Sequence, residues 1–340
     1  MAGGAQAART MVRAGQGSAV AAGEMTLDPE IAAFLAEMKA RWAQHPSFET
    51  LDFPEQRTVC EAVRARWAEG GPQMARTIER VFDPGAGKLH VRVHFPEGAS
   101  EPAPALVYLH GGGFTLFSID THDRLMRDYA AAGGFAVIGV DYPLSPEHKY
   151  PEALNRIEAL MLWLSDHGGE LGVDPSRLAM GGDSAGANLS LATALRLRDR
   201  GAGGIVRALL SNYGYFSTAV SDAAEAAFGG PGSIMDRAEA VAYYANYLAD
   251  FDRERSDPLA CPLLADLAGL PPVLLVIPEC DLLTEQSLAM DARLRVAGVE
   301  TQAIVYPGAT HSFLEAMSVA AVARRGIADG AAFVKARLSR

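Results

Sequence analysis

From residue 76 onward, short apolar runs alternate with longer segments in which apolar positions recur every three or four residues. Runs of the first kind read as strands buried in a sheet, and segments of the second kind as helices packed on it. The strands are expected at 76–82, 88–95, 104–109, 135–140, 177–180, 206–211, 273–277 and 301–305. The first two are joined by Asp83-Pro84-Gly85-Ala86-Gly87, a turn by its residues. Helices are expected at 56–67, 121–132, 151–166, 188–195 and 237–251, after a first one that ends near Trp42. That first helix has Asp28 as N-cap and Pro29 at its first position. Strands alternating with helices predict an α/β fold, a mostly parallel sheet covered on both faces.

The alternation breaks between about 212 and 261. This stretch holds Gly229-Gly230-Pro231-Gly232 and an aromatic helix bearing Tyr243, Tyr244, Tyr247 and Phe251. An insertion between strands at this point would lie over their carboxyl ends, where open α/β sheets place their sites. The expected organisation is therefore a catalytic domain of residues 71–211 and 258–340. A helical cap is built from the insertion 212–257 and the N-terminal helices of 25–70. Residues 1–24 are Ala/Gly-rich, lack a sustained apolar core and read as a disordered leader rather than a signal peptide, with Met25 as a natural start.

Composition narrows the partners. A chain of 340 residues that is 49% hydrophobic can bury a large core. A net charge of −11 argues against nucleic acid and anionic membranes. No run of 18 apolar residues exists, so no membrane span is expected. Three cysteines, Cys60, Cys261 and Cys280, are odd in number and far apart, which fits a reducing compartment. The expected location is cytoplasmic; a homodimer is left open.

Chemistry enters at Gly182-Asp183-Ser184-Ala185-Gly186, between a strand-like run and a helix. A serine between two glycines at such a junction is the nucleophile-elbow pattern: the turn is tight, and glycines avoid collisions with strand and helix. Serine needs a base, and in this chain order the acid and then the histidine follow it. Of eight histidines only His311 lies after Ser184, in a loop beyond strand 301–305. The acid is expected after strand 273–277, in Pro278-Glu279-Cys280-Asp281. We take Asp281, although Glu279, two residues away, shares its strand face. Upstream, strand 104–109 runs into His110-Gly111-Gly112-Gly113-Phe114, an HGGG-type oxyanion loop. Such a loop works with the N–H of the residue after the nucleophile, here Ala185. His110 precedes the serine and reads, with Gly111, as support for the loop.

Other features have plainer readings. Ser184 as a mere helix N-cap would leave the HGGG loop and the histidine order unexplained. Asp183 reads as structural. His90 and His94 share a strand face but lack a third metal ligand, and Gly201-Ala202-Gly203-Gly204 does not continue into a dinucleotide fingerprint. The tyrosines of helix 237–251 read mainly as cap core. No cofactor and no metal are expected.

These motifs, with Asp141-Tyr142-Pro143-Leu144-Ser145-Pro146-Glu147-His148, Ala187-Asn188 and Tyr306-Pro307-Gly308, resemble the bacterial hormone-sensitive-lipase-like esterases of the α/β-hydrolase superfamily. The resemblance covers roughly residues 75 to 340. It implies an α/β-hydrolase fold with a helical cap and hydrolysis of short acyl esters. It also implies oxyanion donors at the N–H groups of Gly112, Gly113 and Ala185. It favours Asp281, because Asp281 and Leu283 match the first and third positions of the family's Asp-Pro-Leu triplet. Asp257-Pro258-Leu259 reproduces the triplet in full but precedes the strand, so it reads as a decoy. Two departures stand out: Leu282 replaces the proline, and Ser312 follows the histidine where the family has Gly or Ala. The partner expected is a small-molecule ester. Amides, carbamates or lactones would suit the same triad, and a non-catalytic receptor on this fold is the remote alternative.

Overall fold

The computed structural model describes residues 26–83, 85–230 and 233–339; the leader expectation for 1–24, Met25 and parts of two predicted turns lie outside them. Eight strands make one sheet: β1 Arg76–Phe82, β2 Leu89–Phe95, β3 Ala103–Leu109, β4 Ala136–Asp141, β5 Val173–Asp183, β6 Val206–Asn212, β7 Val273–Cys280 and β8 Thr301–Thr310. Their order is β1-β2-β4-β3-β5-β6-β7-β8. Strand β2 runs antiparallel to β1 and β4, and every other pair is parallel.

The sheet divides the core in two. Ala105, Val107 and Leu109 of β3 face one side with Val273, Leu275 and Ile277 of β7, and Leu106, Tyr108, Leu274 and Val276 face the other. Strands covered on both faces need apolar residues at every position, which is why the sequence shows runs rather than alternation. Helices α4 Glu152–His167, α5 Ala185–Asp199 and α9 Thr284–Val296 cover the first face. The second is covered by α1 Pro29–Trp42, α2 Phe53–Ala68, α3 Asp123–Gly133 and α10 Ala321–Leu338. Between β6 and β7 lie α6 Asp222–Phe228, α7 Arg237–Tyr247 and α8 Phe251–Glu254.

Several boundaries differ from expectation, β5, α5 and β7 being longer than read, and three of the differences have a visible physical reason. Helix α2 begins at Phe53 instead of 56, because Asp52 and Glu55 form a reciprocal capping box. The helix expected at 237–251 stops at Tyr247. Leu248 is extended there, Lys149 Nζ donates to the carbonyls of Ala245, Asn246 and Leu248, and Asp250 caps a separate turn. Strand β8 continues to Thr310 instead of 305, so His311 follows the strand directly. Pro307 is tolerated there because β8 is an edge strand. Gly308 takes φ +66°, and its carbonyl accepts from the backbone N–H of Asp28, which docks the start of α1 onto this strand.

His90 pairs with Glu79 at 2.6 Å, whereas His94 lies 3.1 Å from both Asp123 and Thr77. Among the described residues no group of three or more His, Cys, Asp or Glu side chains could hold a metal ion. No described helix is long and apolar enough to cross a membrane.

Helix α2 is tied to the turn Phe313–Ser318 by an ion pair between Arg64 and Glu315, both about 4% exposed. The Arg64 guanidinium also lies over the Phe117 ring, 4.7 Å from its centre. Removing one partner of a buried pair leaves the other charge uncompensated, at a cost of about 3–5 kcal/mol. Arg64→Met should therefore lower the unfolding free energy by that amount in denaturant titration. The double variant Arg64→Met/Glu315→Gln should recover most of the loss. Equal losses in the single and double variants would show that packing, not charge, holds this joint.

Candidate active site

The glycine loop, Ser184, Asp281 and His311 follow β3, β5, β7 and β8 at the carboxyl edge of the sheet. The chain leaves β3 for β4 on one side, and β5 lies on the other. This is the switch point at which open α/β sheets form a crevice.

Ser184 sits between β5 and α5 with φ +52° and ψ −115°, a strained conformation for a residue with a side chain. Its N–H donates to the Asn212 carbonyl, and its own carbonyl accepts from the Tyr215 N–H. A Cβ on Gly182 or on Gly186 would overlap the Leu109 carbonyl. The two glycines are what let α5 start this close to β3.

His311 Nε2 lies 3.0 Å from Ser184 Oγ, and its Nδ1 lies 2.8 Å from Asp281 Oδ2. All three side chains are buried. Asp281 Oδ1 accepts from the Leu283 N–H at 3.1 Å, which fixes the carboxylate plane. Burial by itself would lower the His311 pKa. The charge and hydrogen bond of Asp281, aided by Asp183 and Glu315, more than offset this, and the net direction is upward. Tyr213 packs edge-on against the imidazole at 5.0 Å. Ser312 takes φ +60°, the left-handed region where glycine costs nothing, which gives a backbone reason for the small residue common there in the family.

The competing carboxylates are engaged elsewhere. Glu279 Oε2 accepts from the Gly308 N–H, and Asp257 accepts from the Tyr150 hydroxyl, both at 2.9 Å.

Asp183 points away from the crevice, into the root of the glycine loop. Its carboxylate accepts from the Gly111 N–H at 3.1 Å and the Tyr108 hydroxyl at 2.9 Å, and it lies 3.3 Å from His122 Nε2. His110 Nδ1 donates to the Gly111 carbonyl at 2.7 Å while its ring stacks on Tyr142. Burial and the neighbouring His122 lower its pKa to about 3, so the ring stays neutral. Beyond it Gly112 and Gly113 take φ +103° and +59°, which turns their carbonyls toward Thr115 and Leu116. Ala185 opens α5, and the first N–H groups of a helix have no partner within it.

A cavity of about 930 Å³ opens over this group. Its lining includes Gly112, Gly113, Ser184 and His311, together with residues of α1, of α2 and of the segment 233–246. Of the aromatic helix residues, Tyr244 and Tyr247 are core, and Tyr247 stacks on Phe114 at 3.9 Å. Tyr243 faces the cavity, with its ring where a side chain on Gly113 would be. Tyr243 is one of the helix tyrosines that the sequence reads mainly as cap core, and nothing in the sequence points to Tyr213, Glu239 or the Arg64–Glu315 joint at this site. Each arrives from an element distant in sequence, and none carries a local motif.

A family model described as alpha/beta hydrolase fold matches residues 106–315. Acetyl esterases of Salmonella paratyphi A and Salmonella typhi are 35% identical over 289 residues, 84% of this chain and 88% of each relative. A hyperthermophilic esterase of Pyrobaculum calidifontis superposes with TM-score 0.83 at 30% identity, over 92% of this chain and 99% of that one. For a thermostable esterase of Pseudomonas putida the values are 0.86 and 27%, over 93% and 99%. With the motifs, the sheet order and these relatives in agreement, the chain belongs to the α/β-hydrolase fold family and, within it, to the hormone-sensitive-lipase-like carboxylic ester hydrolases.

Proposed function

We propose that this esterase hydrolyses small esters with short acyl groups through an acyl-enzyme on Ser184. The observation that carries the reading is the unbroken hydrogen-bonded line from Ser184 Oγ through His311 to Asp281. Ser184 Oγ attacks the ester carbonyl as its proton passes to His311 Nε2. The Asp281 carboxylate holds the ring and stabilises the imidazolium that forms. Negative charge builds on the carbonyl oxygen and is met by the N–H groups of Gly112, Gly113 and Ala185, with the dipole of α5 behind the last. His311 then returns the proton to the departing alcohol. A water molecule, deprotonated by the same nitrogen, releases the acid and restores Ser184.

In this reading residues 25–70 and 212–257 form a cap over a catalytic domain of 71–211 and 258–340. The walls that α1, α2 and segment 233–246 give the cavity support it. A capped pocket rejects long chains by collision, whereas each methylene that fits gains about 0.8 kcal/mol. Along a nitrophenyl ester series, kcat/KM should peak between acetyl and hexanoyl and fall sharply beyond. A maximum at lauroyl or longer would contradict the capped pocket. Cys60, Cys261 and Cys280 are buried and unpaired, which supports a reducing compartment, the cytoplasm.

A further inference from the structure

We propose that Glu239 is a specificity residue, a carboxylate that makes this pocket favour esters bearing a cationic group and disfavour esters bearing an anionic one. The inference rests on the reading of Ser184 above and adds the charge class of its substrates. Glu239 projects from the first turn of α7 into the cavity that holds Ser184 and His311. Its Oε1 accepts from the Tyr243 hydroxyl at 2.8 Å, and the Tyr243 ring covers Gly113. The carboxylate is thus held one tyrosine length from the glycine loop, on the cavity side.

Apart from the imidazole of His311, the charges around it leave it without a cationic partner. The cavity lining has two long-chain cations, Lys39 and Arg64, and two carboxylates, Asp236 and Glu239. Arg64 is cancelled by the buried Glu315. Lys39 stands exposed on α1. Asp236 caps α7 by accepting from the Glu239 N–H, and it adds negative charge beside it. Among the described residues the Glu239 carboxylate makes no ion pair; Tyr243 is its hydrogen-bond partner. Water reaches it from the cavity, yet protein surrounds it closely enough that burial, with the charge of Asp236, raises its pKa against the opposing effects of the Tyr243 hydrogen bond and of His311. A substrate cation would supply the missing partner. A substrate anion would meet an unscreened like charge in a pocket of reduced dielectric.

The test uses three acetate esters of similar shape: acetylcholine, its uncharged isostere 3,3-dimethylbutyl acetate, and the anionic 3-acetoxypropane-1-sulfonate. The kcat/KM of each is measured at about pH 8, above the ordinary carboxylate range. Glu239→Gln keeps the side-chain shape and an oxygen for Tyr243 but removes the charge. In that variant the cationic-to-neutral ratio should fall about fivefold or more, and the anionic-to-neutral ratio should rise about as much. Taking ratios within one variant cancels any general loss of activity. Either ratio staying within about twofold of the wild type overturns the proposal. Ser184→Ala, assayed on the neutral ester, reports separately on the underlying reading, since its full activity would sink that reading whatever the ratios do.

Discussion

Ser184→Ala should hydrolyse nitrophenyl acetate about a million-fold more slowly than the wild-type chain, a loss of about 8 kcal/mol of transition-state stabilisation. The size follows from what the hydroxyl does: without Oγ no acyl-enzyme forms, and His311 has no proton to accept. The residual rate over water would come from the oxyanion donors and from binding, which the substitution leaves in place. Its fold should be intact, because the Ser184 backbone, not the hydroxyl, holds the elbow through Asn212 and Tyr215. The measurement is single-turnover release of nitrophenol at saturating enzyme. A loss under about a hundredfold would remove Ser184 from the reaction.

Asp281→Asn should cost on the order of 10⁴ in kcat, because an amide at this place favours the wrong imidazole tautomer. It also makes a second prediction, in pH. His311 must be neutral to take the serine proton, so activity falls as pH drops through its pKa. The Asp281 charge raises that pKa against the effect of burial. Removing it should move the acid limb of the residual kcat/KM profile to lower pH. Glu279→Gln and Asp257→Asn should keep both the rate and the limb, since their carboxylates bind the Gly308 N–H and the Tyr150 hydroxyl instead. A crippled Glu279→Gln beside a near-normal Asp281→Asn would reverse the assignment.

How much of this was legible in the chain depended on how local the cause was. The interior strands could be read because both faces of the sheet are covered there, so each is an apolar run; the edge strand β1 is largely exposed and was legible from the turn that follows it. The elbow could be read because both glycines stand within two residues of Ser184, although the contact that demands them, with the Leu109 carbonyl, is distant in sequence. The capping box that starts α2 is local too, in Asp52 and Glu55, but the apolar spacing begins later and masks it. The end of α7 was not local. Lys149, some hundred positions upstream, takes its last carbonyls. The extension of β8 through Pro307 depends on its place at the sheet edge, which only the assembled order of strands provides. Within the site, alternation could not separate Asp281 from Glu279. The hydrogen bonds do, because the register shift between β7 and β8 after Pro278 gives Glu279 to Gly308 and leaves Asp281 facing His311. Glu239 and Tyr243 lie on a helix whose pattern looks like ordinary cap core, and only their position over Gly113 sets them apart.

The central claim is that Ser184 carries the acyl group, and the most direct measurement is where a mechanism-based phosphorylating reagent lands. After incubation with 4-nitrophenyl diethyl phosphate, peptide mass mapping of the inactivated chain should find one diethylphosphoryl group per chain, on Ser184, with residual activity falling linearly to zero as the labelled fraction rises to one. Label on any other residue, or full activity in a chain quantitatively labelled at Ser184, would contradict the account.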